Sequence, residues 1–167
     1  MLVILSGLPA TGKTTLARGV AEALGAVHLR IDSIEQALRN IGREIEVDGY
    51  VAAYAVAEDN LRLGHTVVAD CVNPWPLTRA AWRSVAARAG VREIEIEVVC
   101  SDLDEHRRRV ESRVADIPGH RVPTWAEVLA HDYKGWDSDR ILIDTARASA
   151  AESTQVIVAA LRERSGV

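Results

Sequence analysis

A chain of 167 residues, 48% hydrophobic and 26% charged, can fill one hydrophobic core and is short for two domains. Its net charge of -4 argues against a generic nucleic-acid coat and against an anionic-membrane binder. The only cysteines, Cys71 and Cys100, sit in or beside apolar runs with no CxxC or Cys/His spacing, which argues against a structural zinc site. The first residues lack a charged signal-peptide region, and no apolar stretch reaches membrane-spanning length. These features predict a reduced, cytoplasmic protein.

Taken in chain order, short apolar runs alternate with longer helical patterns. Leu2–Leu5 predicts a strand and Gly12–Leu24 a helix closed by Gly25. Val27–Ile31 predicts a second strand, Asp32–Asn40 a helix, and Val47–Leu63 a longer helix closed by Gly64. Thr66–Ala69 is a third strand candidate, followed by the loop NPWP and a helix over Leu77–Ala89 that stops at Gly90. Glu93–Cys100 alternates as a fourth strand, and Asp102–Ala115 is an arginine-rich helix. A loop with Pro118, Gly119 and Pro123 leads to a helix over Thr124–Tyr133, a last strand Ile141–Ile143 and a final helix Ser149–Arg164. Strands separated by helices predict an α/β three-layer sandwich built on a parallel sheet. No linker splits the chain, so 1–167 reads as one domain. Asp102 with Glu105, Thr124 with Glu127 and Ser149 with Glu152 have capping-box spacing.

The stretch Gly7-Leu8-Pro9-Ala10-Thr11-Gly12-Lys13-Thr14 fits G-x-x-x-x-G-K-[ST] at every fixed position. It has the required strand before it and helix after it. Gly7 and Gly12 let the backbone wrap phosphates, so Gly7, Pro9, Ala10, Thr11, Gly12, Lys13, Thr14 and Thr15 are the expected nucleotide contacts. Lys13 can reach the outer phosphates, Thr14 can offer its hydroxyl to Mg²⁺, and the helix start adds its positive dipole end.

A phosphate cradle alone does not separate kinases from ATPases and GTPases. No NKxD guanine motif occurs, and the third strand ends VVAD-CVNP, with Asp70 but no following glutamate to activate water. A kinase needs an acceptor site and an arginine-bearing cover. The second strand, HLRI, leads to Asp32 at the sheet edge that faces the cradle. A carboxylate there can take the proton of an acceptor hydroxyl, and it can equally cap a helix with Glu35 at the third position. In SDLDEHRRRVESR, Arg109 and Arg113 stand one turn apart on one helix face. They suit a lid spanning about 102–136.

Three segments carry a family resemblance: GLPATGKTTLA, RIDSIEQAL, and HRRRVESR with VPTWAEVLAHDYKGWD and ILIDT. With them the chain resembles the small P-loop kinases of the AAA_33 type, akin to the kinase half of polynucleotide kinase, chloramphenicol phosphotransferase and the zeta toxins. The resemblance implies a five-stranded parallel sheet, Mg-ATP and phosphoryl transfer to a hydroxyl. It implies a base role for Asp32, lid roles for Arg109 and Arg113, and acceptor binding or a water-mediated Mg²⁺ contact for Asp70. The acidic balance points to a small polar acceptor rather than a long nucleic acid. The rival readings are a nucleotide-binding ATPase or regulator without an acceptor, and a kinase of nucleic-acid 5'-hydroxyls.

Other residues carry weaker expectations. Arg39, Arg43, Asn73 and Arg79 could reach an anionic acceptor. Trp75 would border the acceptor pocket, and Trp125, Tyr133 and Trp136 would anchor the lid. His106 reads as solvated. Asp144 and Thr145 follow the last strand, where such folds hold adenine.

Overall fold

The computed structural model describes residues 1–165. Strand β1 (Leu2–Ser6) has every residue buried, as an unbroken apolar run flanked by strands on both sides must be. It is the middle of a five-stranded, all-parallel sheet ordered β2-β3-β1-β4-β5. The other strands are β2 (Val27–Arg30), β3 (Val67–Asp70), β4 (Glu93–Val99) and β5 (Ile141–Asp144). The helices are α1 (Lys13–Leu24), α2 (Ile31–Asn40), α3 (Asp48–Arg62), α4 (Pro76–Ala89), α5 (Leu103–Ser112), α6 (Trp125–Leu129) and α7 (Ala150–Ser165).

The pleat divides the core in two. Val3 and Leu5 of β1 face α1 and α7 with Ile94, Ile96 and Val98 of β4. Leu2 and Ile4 face α3 and α4, where Trp82 is fully buried and meets Tyr54 edge-on at 4.7 Å. The alternation in β4 sends Glu95 and Glu97 to this second face. There Arg83 holds Glu95 at 3.1 Å and Arg140 holds Glu97 at 2.5 Å. Glycines close α1 and α4 in the left-handed conformation, Gly25 at φ 59° and Gly90 at φ 66°.

Three boundaries differ from expectation. Arg30 is the N-cap of α2, so Asp32 lies inside the first turn and does not cap it. Helix α5 stops at Ser112 because Arg113 turns extended, at φ -67° and ψ 126°. Helix α6 is one short turn. Thr124 and Ser149 form reciprocal capping boxes. Asp102 accepts from Glu105 N at 3.0 Å, but the Glu105 carboxylate goes to Arg108 and Arg109 instead of returning the bond. No helix among the described residues is long and apolar enough to cross a membrane.

Arg79 corrects an expectation outright. It is fully buried and turned away from any acceptor. Its guanidinium donates to the carbonyls of Asn73, Pro74, Lys134 and Gly135 at 2.7–3.2 Å, and it stacks 4.1 Å from the Trp136 ring. This one side chain pins the stretch after α6 to the start of α4. Arg79→Lys keeps the charge but loses the planar fork, leaving buried carbonyls unpaired. It should lower unfolding stability by roughly 2–4 kcal/mol in urea titrations.

Candidate active site

The turn after β1 is held in a shape that only small residues permit. Gly7 has φ 146°, and a Cβ there would stand 2.2 Å from Val98 O. Ala10 (φ 63°) and Gly12 (φ 96°) are also left-handed. Within the turn, the Thr11 hydroxyl and the Lys13 ammonium both donate to Leu8 O at 3.0 Å. Burial pushes the Lys13 ammonium below its ordinary range, opposed by the charges of Asp70 and Asp32.

Three groups grip this turn from outside. His106 on α5 was expected in solvent, yet it is buried, with Nε2 2.8 Å from Pro9 O. A carbonyl only accepts, so Nε2 carries the proton. Its ring meets Trp125 edge-on at 5.2 Å. The Thr145 hydroxyl lies 2.8 Å from Thr11 O, and Arg109 donates to its Oγ1 at 2.8 Å and its O at 3.1 Å. Asn73 sits behind the turn, fully buried at φ 52°, with Nδ2 donating to Ser6 Oγ at 3.0 Å. The structure therefore places Asn73 in the wall and not on an acceptor surface. Pro74 O of the same loop takes a bond from Lys134 N, and Trp75 donates to Asp132 at 3.1 Å.

Lys13, Thr14, Asp32, Asp70, Arg113 and His131 all line one cleft of about 730 Å³. Pro9, Ala10, Gly12 and Thr15 complete the cradle side of it, while Gly7 and Thr11 shape the turn from behind. Asp32 keeps 35% of its side chain exposed, with Arg30 Nη2 3.5 Å away. Asp70 is 3% exposed, and its Oδ2 lies 3.5 Å from His28 Nε2 and 3.8 Å from Arg30 Nε. Burial pushes the Asp70 carboxyl up, but His28, Lys13 and Thr14 outweigh it and hold it below its ordinary range. The two arginines expected to serve a lid differ. Arg109 is spent on Glu105 and Thr145, whereas Arg113 lines the cleft with no hydrogen bond or ion pair among the described residues. Arg39 lies on the outer face of α2, paired with Glu35 at 3.0 Å, and does not line the cleft.

The donors fit a hard divalent cation. The Thr14 hydroxyl stands at the end of the cradle beside the buried Asp70 carboxylate, whose Oδ2 is turned toward His28 and Arg30. Mg²⁺ is commonly held by one or two carboxylates plus phosphate oxygens. The Asp144 side chain closes the turn after β5. It accepts from Ser101 N at 3.0 Å and Ala146 N at 3.1 Å, and pairs with Arg147 at 3.0 Å. Burial acts to raise its carboxyl, but the Ser101 bonds and the others bring it to about 2.

The chain belongs to the AAA domain family, in its AAA_33 form, which matches residues 2–131. An uncharacterized protein of Mycobacterium tuberculosis is 33% identical over 164 residues, covering 87% of this chain and 32% of its own length. The chain thus spans about a third of the length of that relative. A provisionally assigned kinase from Chloroflexus aurantiacus shares the fold with a TM-score of 0.74 at 23% identity, over 97% of this chain and 96% of that one. Kti12 from Chaetomium thermophilum, solved with ADP-AlF3, does so with a TM-score of 0.72 at 21% identity, over 98% of each. The class is thereby defined as a kinase-like, nucleotide-binding P-loop fold.

Two predictions follow from the cradle and its surroundings. Gly7→Ala forces a Cβ onto Val98 O, and it should weaken binding of a fluorescent ATP analogue on the order of a hundredfold. Asp144→Asn should lower the melting temperature at neutral pH. A depressed carboxyl stabilises fully above its unfolded value of about 4 and loses that contribution as pH falls through its folded value. The gap between variant and wild type should therefore close as pH approaches about 2.

Proposed function

We propose that the protein is a phosphotransferase that moves the γ-phosphoryl group of Mg-ATP to a hydroxyl of a small polar molecule in the cytoplasm. The observation that carries this reading is the position of Asp32. Its part-exposed carboxylate opens onto the same cleft as Lys13 and Thr14. The volume of about 730 Å³ suits a nucleotide's phosphates beside a small acceptor.

The cradle amides and Lys13 hold the phosphates and orient the terminal one. Thr14 and Asp70 would hold Mg²⁺, which neutralises charge between the outer phosphates. Asp32 orients the acceptor hydroxyl and takes its proton as the oxygen attacks in line. Arg113, unpaired and facing the cleft, meets the negative charge on the transferring group. Arg109 serves from outside, bracing Thr145 against the cradle. An ATPase would want a carboxylate next to Asp70 to activate water. That position is Cys71, whose thiol burial pushes well up, out of the range of a useful base.

The test is a screen of nucleosides, sugars and antibiotics for compounds that accelerate ATP consumption. One hydroxyl compound should do so strongly. Asp32→Asn should remove about 10²–10⁴-fold of that acceleration while ATP-analogue affinity stays intact. A variant that transfers phosphate at the wild-type rate removes Asp32 as the base.

A further inference from the structure

Next to the phosphate cradle the cleft holds a second charged cluster that the transfer step does not use. Arg30 ends β2 with its side chain only 5% exposed. Asp32 and Asp70 lie 3.5 and 3.8 Å from its nitrogens, too far for good hydrogen bonds. Its bonds go to Asp116, Nη1 to Oδ2 at 2.7 Å and Nη2 to Oδ1 at 3.1 Å. Arg18, one turn beyond Thr14 on α1, donates to the same Oδ2 at 2.6 Å. Asp116 comes from the stretch between α5 and α6, which has neither helix nor strand. Arg18, Asp32 and Asp116 line the cleft, while Arg30 lies beneath Asp116.

Two guanidiniums converging on one carboxylate, one of them bidentate, are the arrangement by which proteins capture carboxylates and phosphates. The pair is bidentate and Arg30 is buried, so this contact holds the 113–124 stretch over the cleft. A lid must also lift to admit and release ligands. When the 113–124 stretch moves away, the Arg18–Arg30 fork faces the cleft. It then lies beside Asp32, because Arg30 is 3.5 Å from that carboxylate.

We propose that Arg18 and Arg30 form an anion subsite for the acceptor, filled here by the protein's own Asp116, and that the acceptor is an alcohol bearing a carboxylate or a phosphate that displaces it. The naming of the ligand as an acceptor rests on the transferase reading. The anion, gripped by the fork, sets its hydroxyl next to Asp32. A neutral alcohol finds no such grip.

The test uses protein saturated with Mg²⁺ and the ATP analogue AMP-PNP, so that the cradle is filled. Acetate, inorganic phosphate and neutral acetamide are titrated into wild type, D116A and the double variant D116A/R18Q. D116A should bind acetate or phosphate on the order of tenfold or more tightly than wild type, acetamide should bind none of them better, and the double variant should lose the gain. The preferred anion tells carboxylate from phosphate. No gain in D116A, or a gain that persists without Arg18, overturns the subsite. Arg18 is an exposed surface residue, so R18Q alone keeps the test open if D116A does not fold. With glycerate against glycerol, and glycerol 3-phosphate against glycerol, R18Q should weaken binding of the charged member only, and an equal effect on both members overturns the proposal. Anion capture without any alcohol accelerating ATP use would leave the subsite standing and remove the transferase reading. Acceleration by neutral and charged alcohols alike, with no capture by D116A, would do the reverse.

Discussion

One buried ammonium organises the cleft. Lys13 is 8% exposed and bonds directly to a single carbonyl, Leu8 O. A buried cation is costly unless opposite charge stands near it. The fold supplies that charge from neighbouring parallel strands. Asp70 ends β3, its register partner Arg30 ends β2, and Asp32 follows two residues later. The sheet register that pairs Arg30 with Asp70 thus also brings both cleft carboxylates to the edge where the cradle opens. Open parallel sheets place ligands at this edge because helices can start there with their amides free.

The cradle is not an isolated turn. His106 reaches Pro9 O from α5, and Arg109 reaches Thr145, which in turn reaches Thr11 O. Both contacts end on cradle carbonyls, so α5 is tied directly to the turn. Asp116 ties the following stretch to α1 and β2 through Arg18 and Arg30. Beyond α6, Arg79 fixes the return of the chain through four carbonyls. The 102–136 stretch and the sheet therefore meet through polar contacts around the cleft, whereas the two apolar cores lie on the faces of the sheet. Charge-assisted bonds of this kind can be exchanged for bonds to ligand at little net cost.

The sequence made the cradle and the sheet readable because both signals are local. The glycine spacing, the lysine and the threonine occupy one contiguous turn, and the apolar periods fix strand and helix within a few residues. Asp32 was readable as a strand-end carboxylate, but the capping role expected of it falls instead to Arg30. The helix already starts at Ile31, a shift of two residues that spacing alone does not resolve. What escaped were side chains whose partners are distant backbone carbonyls. His106, Arg79 and Thr145 bond groups 97, 56 and 134 residues away, and carbonyls leave no mark on residue identity. Arg109 and Arg113 looked equivalent on one face, yet the helix end at Ser112 separates them. It leaves one engaged and the other free.

The most direct measurement of the central claim is the fate of the γ-phosphoryl group. Protein is incubated with γ-labelled Mg-ATP and a pool of small polar alcohols, and the label is followed by chromatography. Shared use of the cleft by the cradle and Asp32 predicts label in an organic phosphate ester whose formation stops when Asp32 is replaced by Asn. Label recovered only as inorganic phosphate, at a rate indifferent to both the pool and Asp32, would contradict it.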